Sequence, residues 1–482
     1  MISDLHLIDS TAGKHNIDTE AFKDVFCTWI PALLESKKAK ELKVLLLGDI
    51  VDLIRTEQWL EVDADDRPWG KNGIRDVNNA VRYAGGSDEY VAETMSATEQ
   101  RCLDILGELD HIEEKGDLRN TILSRNRDAF KVFRDYLPAK MEQAGIKFEL
   151  IYVPGNHDRM CNLYPSVRDR LKDALGLSIG SEVENWWYPH HFEDEAYGVF
   201  ARHGHEWDVW NYGNVSNHTQ VDHFKRPEQL QVTIGDAIAT EFAVKLPWVA
   251  NKMKEEGAPG FTDELVARLR EIDNVRPVGN VIEWLLYRVQ SEQDDEARGA
   301  LQETINQVLD DLFNISLVEE WTNPDTYKDE VVRAFGGPLH FLLHHHRRPS
   351  FFGSLENKLL SVLYQKYSTW ASRFADPQRD IYTEAAYKET VWDNGSDIRY
   401  LLYGHTHDPV IHPLRSSNGT QEVYVNTGTW RERIIRTAAF DIVPPQFVPL
   451  NQITYVVFYN AEEEATPSFD MWTGSSEAKS YR

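Results

Sequence analysis

Five short blocks of this 482-residue chain gather carboxylates, imidazoles and one amide at metal-ligand spacing. They are Asp4-x-His6, Gly48-Asp49-x-x-Asp52, Gly155-Asn156-His157-Asp158, His203-Gly204-His205 and Gly404-His405-Thr406-His407. Every donor is oxygen or nitrogen, and no thiolate is among them. Such a set suits Mn, Fe, Zn or a similar divalent ion rather than a structural cysteine–zinc site. The flanking glycines let the backbone turn sharply beyond a strand, so that a short side chain can point back at a buried ion.

Loops of this kind need rigid supports. "KVLLLGDIVDLI" predicts a strand over residues 43–47 that runs straight into Gly48-Asp49, and its apolar run on both faces places it inside a sandwich. "KFELIYVPGNHD", "GVFARHGHEWD" and "IRYLLYGHTHD" repeat the design, and "EVYVNTGTW" and "ITYVVFYN" read as strands that rejoin the sheet. Strand ends that converge on ligand-rich loops are where α/β folds build their sites. A helix is expected over about residues 18–40, with Phe22, Val25, Phe26, Trp29 and Leu33 on one side and Pro31 bending it or ending it early.

Two long helical insertions separate these units, about residues 55–145 and 209–395. In the second, Leu301, Ile305, Val308, Leu309 and Leu312 form one amphipathic stripe, and Leu359, Leu360, Leu363 and Tyr367 form another; both read as core. The second insertion leaves after His203 and returns before His405, so it is expected to cap the site. Its most cationic stretch, "HFLLHHHRRP" (His344, His345, His346, Arg347, Arg348), is a candidate phosphate contact, a solvated face being the plainer reading.

Composition narrows the function. An apolar fraction of 41% supports a sizeable core, and no apolar run approaches the roughly 18 residues of a membrane helix. A net charge of −27 argues against an extended nucleic-acid substrate, because such binders neutralise phosphates with Lys and Arg. Cys27, Cys102 and Cys161 are scattered and make no disulfide framework, which points to a reducing, cytoplasmic setting.

In this order the blocks resemble the calcineurin-like metallophosphoesterase superfamily, whose pattern is DxH, GDxxD, GNH(D/E), a His before Gly, and GHxH. The resemblance implies an α/β fold, a four-layer αββα sandwich, with residues 1–208 and 396–482 as core and 209–395 as an inserted helical cap. It implies two divalent ions, Mn²⁺ or Fe with Zn²⁺ possible. One would be held by Asp4, His6, Asp49 and His407, and the other by Asp49, Asn156, His203 and His405. A metal-bridging hydroxide would attack a small phosphomonoester or phosphodiester. His157 would be the general acid or phosphoryl stabiliser, with Asp52 orienting it. Asp158, His205 and Asp208 are candidates for supporting or substrate contacts, and His205 is an alternative ligand to His203.

This chain lacks the Arg-Gly that follows GDxxD in protein phosphatases, which argues against phosphoprotein. It keeps His157 where the lipid A-pathway diphosphatases tend to have Arg, which argues against pyrophosphate hydrolysis. A nuclease is the first alternative, with a pyrophosphate hydrolase and an inactive metal-binding scaffold behind it. Only three residues precede Asp4, where the family usually has a strand of about five. Either that strand is a stub that holds Asp4 and His6 less rigidly, or the true start lies upstream.

Overall fold

The computed structural model describes residues 1–13, 17–84, 95–109, 120–178, 186–208, 210–212, 229–276, 280–292, 294–322, 381–393, 397–417, 420–437, 446–463 and 468–476. The cationic stretch at 344–348 and the stripe at Leu359–Tyr367 lie outside them.

The fold is α/β. Strands β1 (Glu41–Leu47) and β2 (Lys147–Val153) pair in parallel. A second sheet runs in the order β3 (Phe192–Asp194), β4 (Val199–Ala201), β5 (Tyr400–Tyr403), β7 (Thr420–Asn426), β6 (Val410–Ser417), with β4, β5 and β7 parallel. A third, antiparallel sheet joins β8 (Glu432–Arg436), β9 (Phe447–Tyr459) and β10 (Ser468–Ser476). The side-chain alternation along each strand sorts its residues between cores. Val44 and Leu46 of β1 pack with Phe22, Phe26 and Phe133 of the helices. Leu45 and Leu47 pack with Ile151 and Val153 against Val199, Ala201, Leu402 and Val425 of the second sheet. The opposite face of that sheet, Phe200, Leu401, Tyr403 and Tyr424, covers Trp207, Ala385 and Ala386.

The N-terminal segment is held better than its short lead-in suggests. Ile2 bridges Leu46, and Met1 exchanges backbone bonds with Val456 of β9. The pairing continues past the strand, from Asp4 N to Gly48 O (3.0 Å), His6 N to Asp49 O (2.8 Å), Leu7 N to Ile50 O (2.9 Å) and Asp52 N to Leu7 O (3.0 Å). The rigidity expected of a preceding strand is supplied by a ladder that follows the motif.

Pro31 neither ends nor breaks its helix. The helix runs from Thr19 to Lys37 with a π-helical turn, Asp24–Trp29, immediately before the proline. Widening the turn removes the carbonyl that the ring would strike and absorbs the missing N–H. The same device recurs at Val132–Tyr136 before Pro138 and at Ala239–Val244 before Pro247. The stripe of Leu301, Val308 and Leu312 is buried on the helix Asp295–Phe313, as expected.

The two inserted regions pack on one another in the large helical core. Trp69 Nε1 and Arg67 Nη1 both donate to Glu241 Oε1, at 3.0 and 2.5 Å. Among the described residues, no helix is long and apolar enough to cross a membrane.

Candidate functional site

The C-terminal ends of β1, β2, β4 and β5 meet the N-terminal segment and bring all five blocks together. Asp4, His6, Asp49, Asn156, His203 and His407 are each at most 3% exposed. Four of them, with His405 and two neighbouring glycines, carry strain or need space that the site explains. Asp4, His6, Asp49, His405 and His407 have φ of 53°, 44°, 51°, 67° and 62°. Left-handed backbone at non-glycine residues is costly and clusters where function demands it. The sequence reading assigned the sharp turns to the glycines, whereas several ligands themselves adopt the left-handed backbone. Gly48 does so too, at φ +78°, but a Cβ there would also lie 2.2 Å from the His203 ring. Gly404 is needed for room: its Cβ would sit 2.6 Å from Asp4 Oδ2. Gly404→Ala is therefore expected to lower metal content at the Asp4 position with the fold retained, read by elemental analysis beside thermal melting.

Two donor sets converge on Asp49. In the first, His6 Nε2 stands 3.0 Å from His407 Nε2, 3.7 Å from Asp49 Oδ2 and 3.9 Å from Asp4 Oδ1, and His407 Nε2 is 3.4 Å from that same Asp4 oxygen. In the second, His203 Nε2 lies 3.2 Å from Asp49 Oδ2, with His405 completing a group of ligand atoms within 4.8 Å. His203 Nδ1 donates to Leu47 O at 2.9 Å, which leaves Nε2 as the free lone pair. His6 Nδ1 lies 2.9 Å from Asp52 Oδ2, with the same consequence. Asn156 donates through Nδ2 to Asn211 Oδ1 at 3.2 Å, while its buried Oδ1 has no hydrogen-bond partner. Buried acceptors are rarely left unpaired. These orphaned donors are what a pair of cations would satisfy.

His157 is kept apart from both sets. Its backbone N–H donates to Asp49 Oδ1 at 2.9 Å, and its Nδ1 pairs with Asp52 Oδ1 at 3.0 Å. His6, Asp52 and His157 also form a compact group. Asp52, however, is fully engaged by the two imidazoles, by Arg55 Nη1 (3.1 Å) and by Arg55 N (3.0 Å), so this group is a hydrogen-bonded brace rather than an open donor set. Asp52 thus orients one proposed ligand as well as His157, a double duty its spacing did not reveal.

The remaining candidates resolve as supports. Asp208 Oδ2 accepts from His405 Nε2 at 3.0 Å and from Asn211 Nδ2 at 2.8 Å, linking His405 through Asn211 to Asn156. Asp158 accepts from Ile50 N at 2.9 Å and from Gly155 N, tying the two strand-end loops together. His205 is buried with its Nδ1 3.5 Å from Glu206, and the candidate metal group contains His203, not His205.

Electrostatics agree with a site built for cations. Burial pushes Asp4 up to about 6. Burial opposes the charged form of His203, but Asp49 outweighs it and lifts the imidazole to about 10. Asp49 itself is held well below the usual carboxylate range by His203, His157 and His6, against the effect of burial. Burial drives His6 and His407 well below an ordinary imidazole, which keeps their lone pairs available. Cations must displace the His203 proton and, below about pH 6, the Asp4 proton as well, so Mn²⁺ affinity is expected to rise with pH, most steeply below about 6. Calorimetry in buffers of different ionisation enthalpy should show proton release on binding.

Several contributors had no sequence signal. Ser3 Oγ bonds to Asp4 Oδ2 and lies 2.6 Å from Thr427 Oγ1, and Thr429 Oγ1 donates to Asp4 O at 2.7 Å. Arg276, from the second inserted region, donates through Nε to His407 Nδ1 at 3.2 Å. A cation on His407 Nε2 would put the ring proton on Nδ1, so this donor would then have to turn away. The segment is fixed to the core by the Val275–Ile434 bridge and by Arg276 N to Ile434 O at 2.9 Å. Comparison with protein-family profiles and with curated proteins finds no match. Function therefore rests on this geometry.

Proposed function

We propose that the chain is a two-metal phosphohydrolase of the calcineurin-like metallophosphoesterase type, acting on a small phosphomonoester or phosphodiester. The observation that carries the reading is the pair of buried nitrogens from His6 and His203 that face Asp49 Oδ2, with His407 facing His6 and Asp4 and the Asn156 Oδ1 buried without a partner. Asp4, His6, Asp49 and His407 would hold one ion, and Asp49, Asn156, His203 and His405 the other. Bound there, Mn²⁺, Fe or Zn²⁺ would supply Lewis acidity toward phosphoryl oxygens and a water of lowered pKa. His157, braced on Nδ1 by Asp52, presents its other nitrogen as a proton donor to a leaving oxygen. The sorting of strand residues into helix-side, sheet–sheet and outer cores supports the finer architecture, a four-layer αββα sandwich.

Purified protein is expected to bind close to two transition-metal ions and, with Mn²⁺, to hydrolyse p-nitrophenyl phosphate or its bis ester. Metal-loaded protein that leaves a broad phosphoester panel untouched would sink the proposal. Cleavage of DNA in a gel assay instead would move it to the nuclease alternative.

A further inference from the structure

Beside His407 three guanidinium groups lie together with few direct carboxylate contacts among the described residues. Arg55 and Arg431 are each 1% exposed, and Arg276 is half-buried next to them. Asp273 is the one carboxylate shared by two of these guanidinium groups: it contacts Arg55 Nη2 and lies 3.0 Å from Arg431 Nη2. Arg431 Nη2 also donates to Asn274 Oδ1 at 2.6 Å, and Arg276 Nη1 to the carbonyls of Asp273 and Val275, each at 2.9 Å. Arg55 Nη1 also donates to Asp52 Oδ2 at 3.1 Å, a carboxylate shared with His6 and His157. Arg55 Nε, Arg431 Nε and Arg431 Nη1 are buried without a hydrogen-bond partner. Buried donors of a charged group are costly to leave unpaired, and a buried cation needs a counter-charge. In a chain of net charge −27 such a cluster is a local construction, not a by-product of a basic surface.

We propose that Arg55, Arg276 and Arg431 form a subsite for an oxyanion, a phosphoryl or carboxylate group of the molecule bound beside His407. Guanidinium forks match the several acceptor oxygens of such a group. Two of the arginines belong to the core, but Arg276 and the shared Asp273 come from the inserted region. The insertion thereby helps choose the substrate as well as cover it. The assignment of the oxyanion to a substrate rests on the phosphohydrolase reading; the binding itself does not.

The test is calorimetric titration of inorganic phosphate into the full-length chain stripped of metal by chelation, where the metals cannot hold the anion. Wild-type protein should bind saturably. Arg276→Met, whose half-buried position makes it the variant most tolerant of change, should bind about tenfold or more weakly. Arg431→Met should do the same, with melting curves confirming the fold of both. Equal affinity of wild type and Arg276→Met, or no binding by wild type, would overturn the proposal. These outcomes stand whether or not any phosphoester is hydrolysed. With activity in hand, compare esters that do and do not carry a second anionic group. A loss of kcat/KM in Arg276→Met confined to the doubly anionic ester identifies that second group as the ligand, and an equal loss identifies the transferred phosphoryl.

Discussion

Asp49→Ala is expected to empty both metal positions and abolish hydrolysis. Asp49 Oδ2 is the one oxygen within reach of His6 and of His203, so it belongs to both donor sets, while Oδ1 accepts the backbone N–H of His157. Among the described residues no other carboxylate has this position: Asp4 faces His6 and His407, and Asp52 is saturated by His6, His157 and Arg55. Removing a partner that merely orients a ligand costs about 10–100-fold in metal affinity, and removal of a shared ligand should exceed that. Elemental analysis and calorimetry with Mn²⁺ read the result. Retention of two ions by Asp49→Ala would mean that the lone pairs facing it belong to a different centre.

His157→Asn should separate binding from turnover. The imidazole lies outside both proposed ligand sets, and the asparagine amide keeps a polar group near the position of Nδ1. Two ions should remain, while kcat falls by about 10²–10⁴-fold, the usual contribution of a positioned acid or base. The pH dependence has a defined sign. Burial lowers the affinity of His157 for its proton, but Asp52 and then Asp49 outweigh it, and the folded pKa stands above the ordinary 6.5. A general acid with a raised pKa stays protonated to higher pH, so activity should fall on the alkaline side as pH rises through that value. Cations beside Asp49 cancel part of its pull, which leaves Asp52 as the main cause. Asp52→Asn should therefore move the alkaline limb to lower pH, and it should also weaken metal binding through His6. Loss of metal in His157→Asn would make it a ligand, and an unchanged kcat would remove it from the chemistry.

The ligand roster and the strands under it were legible in the sequence because both are local. An apolar run ending in Gly-Asp or Gly-Asn-His carries its strand and its turn within a dozen residues, and the observed β1, β2, β4 and β5 fall where those runs predict them. The helix stripe at Leu301–Leu312 was legible for the same reason. Pro31 misled because its local rule, the missing N–H and the clashing ring, has a second solution in a π turn that sequence pattern does not announce.

What only the tertiary structure decided is how distant groups meet. Asp52 braces His6 across 46 positions and His157 across 105. Asn211 fixes which way the Asn156 amide points from 55 residues away, and Arg276 reaches His407 across 131. Neither Asn211 nor Arg276 sits in a motif, because their position depends on how the inserted region packs against the sheet ends. The same holds for Asp4 and His6. Composition and spacing named them as ligands, but the ladder to Gly48, Asp49 and Ile50 makes them rigid, and it forms only when β1 and the N-terminal segment lie side by side. Residue type is written locally and determines which atoms can bind a cation. Orientation, burial and the meeting of three buried or half-buried guanidinium groups arise from long-range packing, where no short stretch of sequence carries the information.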